Sequence, residues 1–252
     1  MTAPIPRDIP DLPAVPGPPL LLPAPVPAAA VVPPVRRPLT AVFRLLTALA
    51  AVAGVALELL LSAPARTLSY FSVQASILLA VVMLLSANRA WRARRPLSST
   101  VTGATLLYVV IGALVYHLLL DHTTPPFSMT GATTAPERWH AQWAALQILH
   151  TLVPTAAVLD WLLLTPAARL HLRQAATWML CPTAYLAFTL GRAAVLGPSA
   201  PARYLYPFLD VAAHGYRSTL ANALLLGLAM YALALLLVVL DHARPTPTRR
   251  PL

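Results

Sequence analysis

The sequence has no lysine, one cysteine and only eight acidic residues among 252. Each shortage excludes something. A lone cysteine, Cys181, cannot build an internal disulfide framework; it lies within an apolar run, where it is expected to be a small packing residue. Charged residues make up 10% of the chain, whereas a soluble domain carries about a quarter. A water-soluble fold is therefore excluded. There is no HExxH, no phosphate loop, no dinucleotide fingerprint and no zinc-type cysteine pair. No metal and no cofactor are expected. The net charge of +10 comes from arginine alone. These arginines flank apolar runs, so the expected partners are anionic lipid headgroups rather than nucleic acid.

What is present is hydrophobic, at 58% of residues. It comes in blocks of about 20 residues, the length a helix needs to cross the hydrocarbon of a bilayer. Six spans are predicted, near 39–61, 68–87, 100–120, 142–164, 175–197 and 218–240. All are read as helices, because an open strand cannot satisfy its backbone in lipid. The predicted fold is an all-α polytopic bundle over 39–242. It is preceded by a disordered, proline-rich tail (1–38, with 13 prolines) and followed by a short basic tail (243–252). Proline lacks an N–H donor and favours extended backbone, hence the first reading.

Arginine asymmetry sets the orientation. With the N-terminus inside, 13 arginines fall on the cytoplasmic side, among them the run "NRAWRARR", and four fall outside: Arg66, Arg138, Arg203 and Arg217. Both termini are therefore predicted to be cytoplasmic. No internal repeat is evident, which argues against a transporter built on inverted repeats.

The costly intramembrane residues cluster in depth. At 1.5 Å per residue, Glu58, Ser72, Gln74, His117, His150 and Arg192 lie roughly 5–12 Å from the outer boundary. Asp210 and His214 occupy the last outer loop. Ionisable groups in lipid face a bundle interior or a wet cavity, so one polar cavity near the outer face is expected. Glu58 and Arg192 are a candidate buried pair, and Arg192 is also a candidate carboxylate clamp. His117, Asp121, His122 and His214 offer a weaker alternative as metal ligands with His150. Pro154 should kink its helix and free the carbonyl of His150. Asp160, at the inner end of the same span, should pair with Arg169, Arg173 or a neighbouring cap. Trp161 fits the interfacial aromatic belt.

The blocks "YFSVQASILLAV", "GALVYHLLL", "LHTLVPTAAVLDWLLL", "YLAFTLGRAAVLG" and "YLYPFLDVAAHGY" resemble a group of bacterial six-pass membrane proteins. That group is similar to the eukaryotic androgen-induced membrane hydrolases, which include the androgen-dependent regulator of tissue factor pathway inhibitor. The resemblance covers about residues 39–242. It implies an intramembrane, metal-independent hydrolase of fatty-acid esters in a bacterial plasma membrane. The family's threonine nucleophile falls on Ser72 and its histidine on His150. The bacterial block usually reads "YFTIQSN"; here serine replaces threonine, and Ala75 and Ser76 replace the Ser-Asn pair. The resemblance makes Ser72 and His150 the catalytic candidates. Arg192, His117, Gln74, Glu58 and Asp210 are candidate substrate-binding residues. The alternative expectation is a non-enzymatic lipid-binding or small-solute transport protein using the same polar layer.

Overall fold

A computed structural model describes residues 35–123, 127–129, 138–198, 200 and 203–245. All but one residue of the unit Met1–Val35 lie outside this set, as does 246–252, and so do most of the two expected tails. The unit Arg36–Leu252 carries the fold.

The described chain is helical. Helix α1 is Pro38–Leu61, opened by a proline at its first turn, where the missing N–H costs nothing. A short turn, α2, is Pro64–Thr67. Helix α3 is Phe71–Trp91, α4 is Ser99–Leu120 and α5 is Trp139–Leu164. Two shorter helices follow, α6 at Leu172–Trp178 and α7 at Leu180–Val195. A single 3-10 turn, Pro207–Leu209, leads to α8 at Val211–Ala243.

Among the described residues, five helices are each long and apolar enough to cross a membrane: α1, α3, α4, α5 and α8. Their outward faces carry large apolar side chains such as Leu46, Val52, Leu84, Leu163, Leu224 and Val239, all more than half exposed. Such a surface is unstable in water and stable in hydrocarbon. The chain is an all-α, multi-pass integral membrane protein.

The stretch expected as one helix over 175–197 is instead two helices meeting at Met179. The cause is local. Pro182 has no N–H for the carbonyl of Trp178, and the Tyr108 hydroxyl donates to that carbonyl at 2.8 Å. Trp178 is almost fully buried, and its indole N–H donates to the Thr100 carbonyl at 2.9 Å. Cys181, just after the break, is exposed on the outer surface rather than packed.

Small residues let the core helices approach. On α1 the buried positions Ala41, Ala48, Ala51, Gly54, Val55 and Glu58 recur at helical spacing. This face packs along α3 and against α5. A Cβ at Gly54 would stand only 2.8 Å from side-chain atoms of both Ile148 and Leu149. At Gly103 on α4 it would stand 2.5 Å from the Trp178 ring. In α8, Gly215 has φ 74° and ψ 161°, a backbone state open essentially to glycine alone; the long apolar rod starts after it.

One end of the bundle is held by buried charge. Arg44 of α1 donates to both carboxylate oxygens of Asp160 on α5, at 2.7 and 3.2 Å. Thr165 completes the cluster. The expected partners Arg169 and Arg173 do not pair with Asp160, because Arg169 is engaged elsewhere. Its backbone N–H donates to Asp241 at 2.7 Å and its guanidinium to the Leu97 carbonyl at 3.1 Å. Asp241, fully buried near the end of α8, also accepts from the Leu170 N–H, the Trp161 indole and Arg244. Trp161 is thus buried in this network under the Arg244 guanidinium, whose carbon lies 4.4 Å from the ring centre.

Candidate functional site

At the opposite end the helices leave a cavity of about 440 Å³. Ser72 of α3, Gly112 of α4 and His150 of α5 line it, together with Tyr185 of α7, Tyr206 of the last loop and a row of α8 residues from Leu220 to Met230. The two residues singled out as nucleophile and base therefore share one cavity. Some of the lining residues are surface residues: Thr183 on α7 and Leu220, Leu224 and Leu228 on α8 are all exposed. Among the described residues the cavity opens between α7 and α8, on the apolar side of the bundle.

Ser72 is the second residue of α3, two positions after the extended N-cap residue Tyr70. It is 6% exposed, and its hydroxyl has no hydrogen-bond partner. The Tyr206 phenol faces the Ser72 hydroxyl and its backbone, but no formed hydrogen bond joins the two hydroxyls. Gly112 brings α4 close: a Cβ there would lie 3.6 Å from that of Ser72. Burial pushes the Tyr206 phenol above the usual tyrosine range, so its proton stays on.

His150 sits inside a π-helical turn, Ile148–Leu152, directly before Val153 and Pro154. A π turn lengthens the local hydrogen-bond ladder by one residue, which is how this helix absorbs the donor that Pro154 lacks. A second π turn, Tyr116–Leu120, closes α4. The two turns face each other: the Tyr116 ring stacks on His150 with centroids 4.4 Å apart. His150 Nδ1 lies 3.0 Å from the Leu146 carbonyl. A carbonyl only accepts, so Nδ1 carries the proton and Nε2 keeps the lone pair. No hydrogen bond joins Nε2 to Ser72.

The other candidates separate. Glu58 is fully buried on α1, and neither carboxylate oxygen has a hydrogen-bond partner. The expected Glu58–Arg192 pair does not form: Arg192 donates to the Arg203 carbonyl at 3.0 Å and ties α7 to the last loop. His117 turns away from the cavity toward Thr151, at 3.1 Å. The Thr151 hydroxyl donates to Gln147, so His117 Nε2 is the donor to Thr151. Gln74 is exposed and donates to the Leu68 carbonyl. Asp210 caps α8, accepting from the Ala212 and Ala213 amides at 2.8 and 3.0 Å. An aspartate before a helix does this routinely, so its place in the polar loop has a structural reason. Among the described residues no three His, Cys, Asp or Glu side chains converge as metal ligands; Asp121 and His122 are exposed at the end of α4.

Sequence reasoning missed Tyr206, Tyr185 and Gly112. The only signal was aromatic density in "YFS" and "RYLYPF". Those rings assemble into one cluster, with Tyr70, Phe71, Tyr185, Tyr206 and Phe208 in edge or stacked contacts around Ser72. Neither protein-family profiles, curated proteins nor solved structures gave a match to this chain.

Proposed function

We propose that this protein is an intramembrane serine hydrolase that cleaves lipid or fatty-acid esters without a metal. The observation that carries the reading is the shared cavity: a buried Ser72 hydroxyl without a partner and a His150 whose Nε2 keeps its lone pair because Nδ1 holds the proton against the Leu146 carbonyl. In the reaction Ser72 Oγ bonds to the ester carbonyl carbon while its proton passes to His150 Nε2. The tetrahedral intermediate collapses, the bond to the alcohol oxygen breaks, and the proton moves from His150 to that alcohol. Water, deprotonated by the same Nε2, then attacks the acyl-serine, releases the carboxylic acid and restores Ser72. The dyad has no acidic third member; the Leu146 carbonyl fixes the imidazole tautomer. In this proposal the Ser72–His150 hydrogen bond forms with substrate in place, as catalytic hydrogen bonds often do.

In the same proposal α6 and α7 together make the sixth crossing, and both termini are cytoplasmic in a bacterial plasma membrane. The arginine asymmetry supports this: the Asp160 end carries the Arg89–Arg95 run and the Ser72 end faces outward. The substrate enters laterally between α7 and α8, with its acyl chain among leucines and its ester at Ser72.

The test is covalent labelling of the purified protein with a fluorophosphonate, comparing wild type with Ser72→Ala and His150→Ala. Labelling of wild type alone supports the dyad. A folded wild type that never labels, under conditions where a known membrane serine hydrolase does, favours a second reading. In that reading the chain binds or carries a lipid without cleaving it, and the absent Ser72–His150 bond is the observation on its side.

A further inference from the structure

The first turn of a helix has amide N–H groups with no partner in the helix. In α3 the first ladder bond runs from the Gln74 N–H to the Tyr70 carbonyl, at 3.1 Å. The amides of Phe71, Ser72 and Val73 precede it, and no N-cap side chain covers them. Ser72 itself belongs to this turn, so a nucleophile and a set of amides converge at one helix end. The independent sign of a ligand is the Ser72 hydroxyl: its residue is only 6% exposed, it lines the cavity, and it bonds to nothing. Tyr206 lies across the same cavity wall, 7% exposed, on a loop pinned by Arg192 to the Arg203 carbonyl and by Arg203 to the Ala193 carbonyl at 2.7 Å. Its phenol faces the Phe71 and Ser72 amides, which is where an anion would be drawn by the helix N-terminus.

Resting on the hydrolase reading above, we infer that the first-turn amides of α3 and the Tyr206 hydroxyl form the oxyanion pocket for the Ser72 acyl intermediate. When Ser72 Oγ bonds to the carbonyl carbon, the carbonyl π pair moves onto oxygen. That oxygen takes hydrogen bonds from the α3 amides and from the Tyr206 O–H, while the serine proton goes to His150. The phenol swings from the amides to donate to the oxyanion, and the charge is held in a site shielded from water, where such donors are strongest. Tyr206 is thus a catalytic residue, touching the reacting oxygen.

The experiment measures the rate constant of fluorophosphonate labelling on full-length protein in detergent, for wild type, Ser72→Ala, Tyr206→Phe and Tyr204→Phe. Tyr204 belongs to the same loop but does not line the cavity. Losing one oxyanion donor costs about 10²–10³-fold in rate. Tyr206→Phe is expected to show that drop at saturating probe, with little change in the half-saturating concentration. Tyr204→Phe is expected to label like wild type. If Tyr206→Phe labels at the wild-type rate while Ser72→Ala is silent, the hydrolase reading stands and the oxyanion assignment is overturned. If wild type itself never labels, both fall together. Should Tyr206→Phe fold poorly, 3,5-difluorotyrosine at 206 keeps the ring and hydroxyl but acidifies the phenol. The alkaline loss of labelling should then move to lower pH; an unmoved alkaline limb overturns the assignment.

Discussion

Removing the Arg44 side chain tests the way α1 is fastened to α5. Arg44 and Asp160 are 13% and 8% exposed and share two hydrogen bonds. Taking away one member of a buried pair costs about 3–5 kcal/mol, because the remaining charge is left uncompensated. Asp160 keeps the Thr165 hydroxyl at 3.2 Å, so Arg44→Met should fall at the lower end, about 3 kcal/mol. For a chain of this size, about 2–4 °C accompanies each kcal/mol, giving a loss of about 6–12 °C in the thermal midpoint. Asp160→Leu should cost less, about 1–2 kcal/mol, since an arginine near a helix end can extend its head toward water. The double variant Arg44→Met/Asp160→Leu should recover most of the Arg44→Met loss, as buried pairs replaced by apolar groups often do. Detergent-solubilised proteins, melted at one lipid and salt concentration, give the three midpoints. The reasoning is refuted if Arg44→Met melts within about 2 °C of wild type, or if the double variant simply adds the two single losses.

Gly103→Ala should destabilise the protein despite alanine's better helix propensity of about 1 kcal/mol. Its Cβ meets the Trp178 ring at 2.5 Å, and overpacking of this kind costs about 1–3 kcal/mol; a raised thermal midpoint contradicts this. Gly191→Ala, with nothing within 4 Å of the new atom, should by contrast leave the midpoint unchanged or raise it. Gly215→Ala should strain the start of α8, because φ 74° with ψ 161° suits glycine alone; a loss of about 1–3 kcal/mol in thermal unfolding is expected. Gly227→Phe should fill the mouth between α7 and α8. Labelling by a long-chain fluorophosphonate should slow at least tenfold while a short-chain probe is spared; equal slowing of both places the entrance elsewhere.

The apolar runs made the membrane class legible, since 20-residue blocks leave little choice of structure. The common depth of Ser72 and His150 was also legible, because rise per residue is fixed. The contacts around them were not. Depth along a helix says nothing about which face a residue occupies, so Gln74 and His117, at the right level, point away from the cavity. Arg192 and Glu58 shared a level too, yet Arg192 found a loop carbonyl nearer than the carboxylate. Asp160 found an arginine 116 residues away rather than one in the adjoining loop. Sequence proximity is a weak guide to pairing once helices have packed. The break at Met179 was masked by hydropathy, which reads composition and ignores the missing donor of Pro182. Tyr206 escaped because a loop tyrosine has no periodic signature; only folding brings it to the start of α3.

The two facing π turns give this bundle an angular register as well as a depth. A π turn amounts to one residue more than the regular ladder requires, and one residue is about 100° of helix rotation. Deleting a single residue from Ile148–Leu152 would let α5 run as a regular α-helix as far as the further π turn at Asp160–Leu164. Everything beyond it would turn by about that angle relative to His150. Either the imidazole would leave Tyr116 and the cavity, or Asp160 would leave Arg44. The extra residue is therefore the clutch that lets one rod present its histidine to the cavity and its aspartate to α1. Chains that share the cavity should keep their length between these two residues more strictly than their composition.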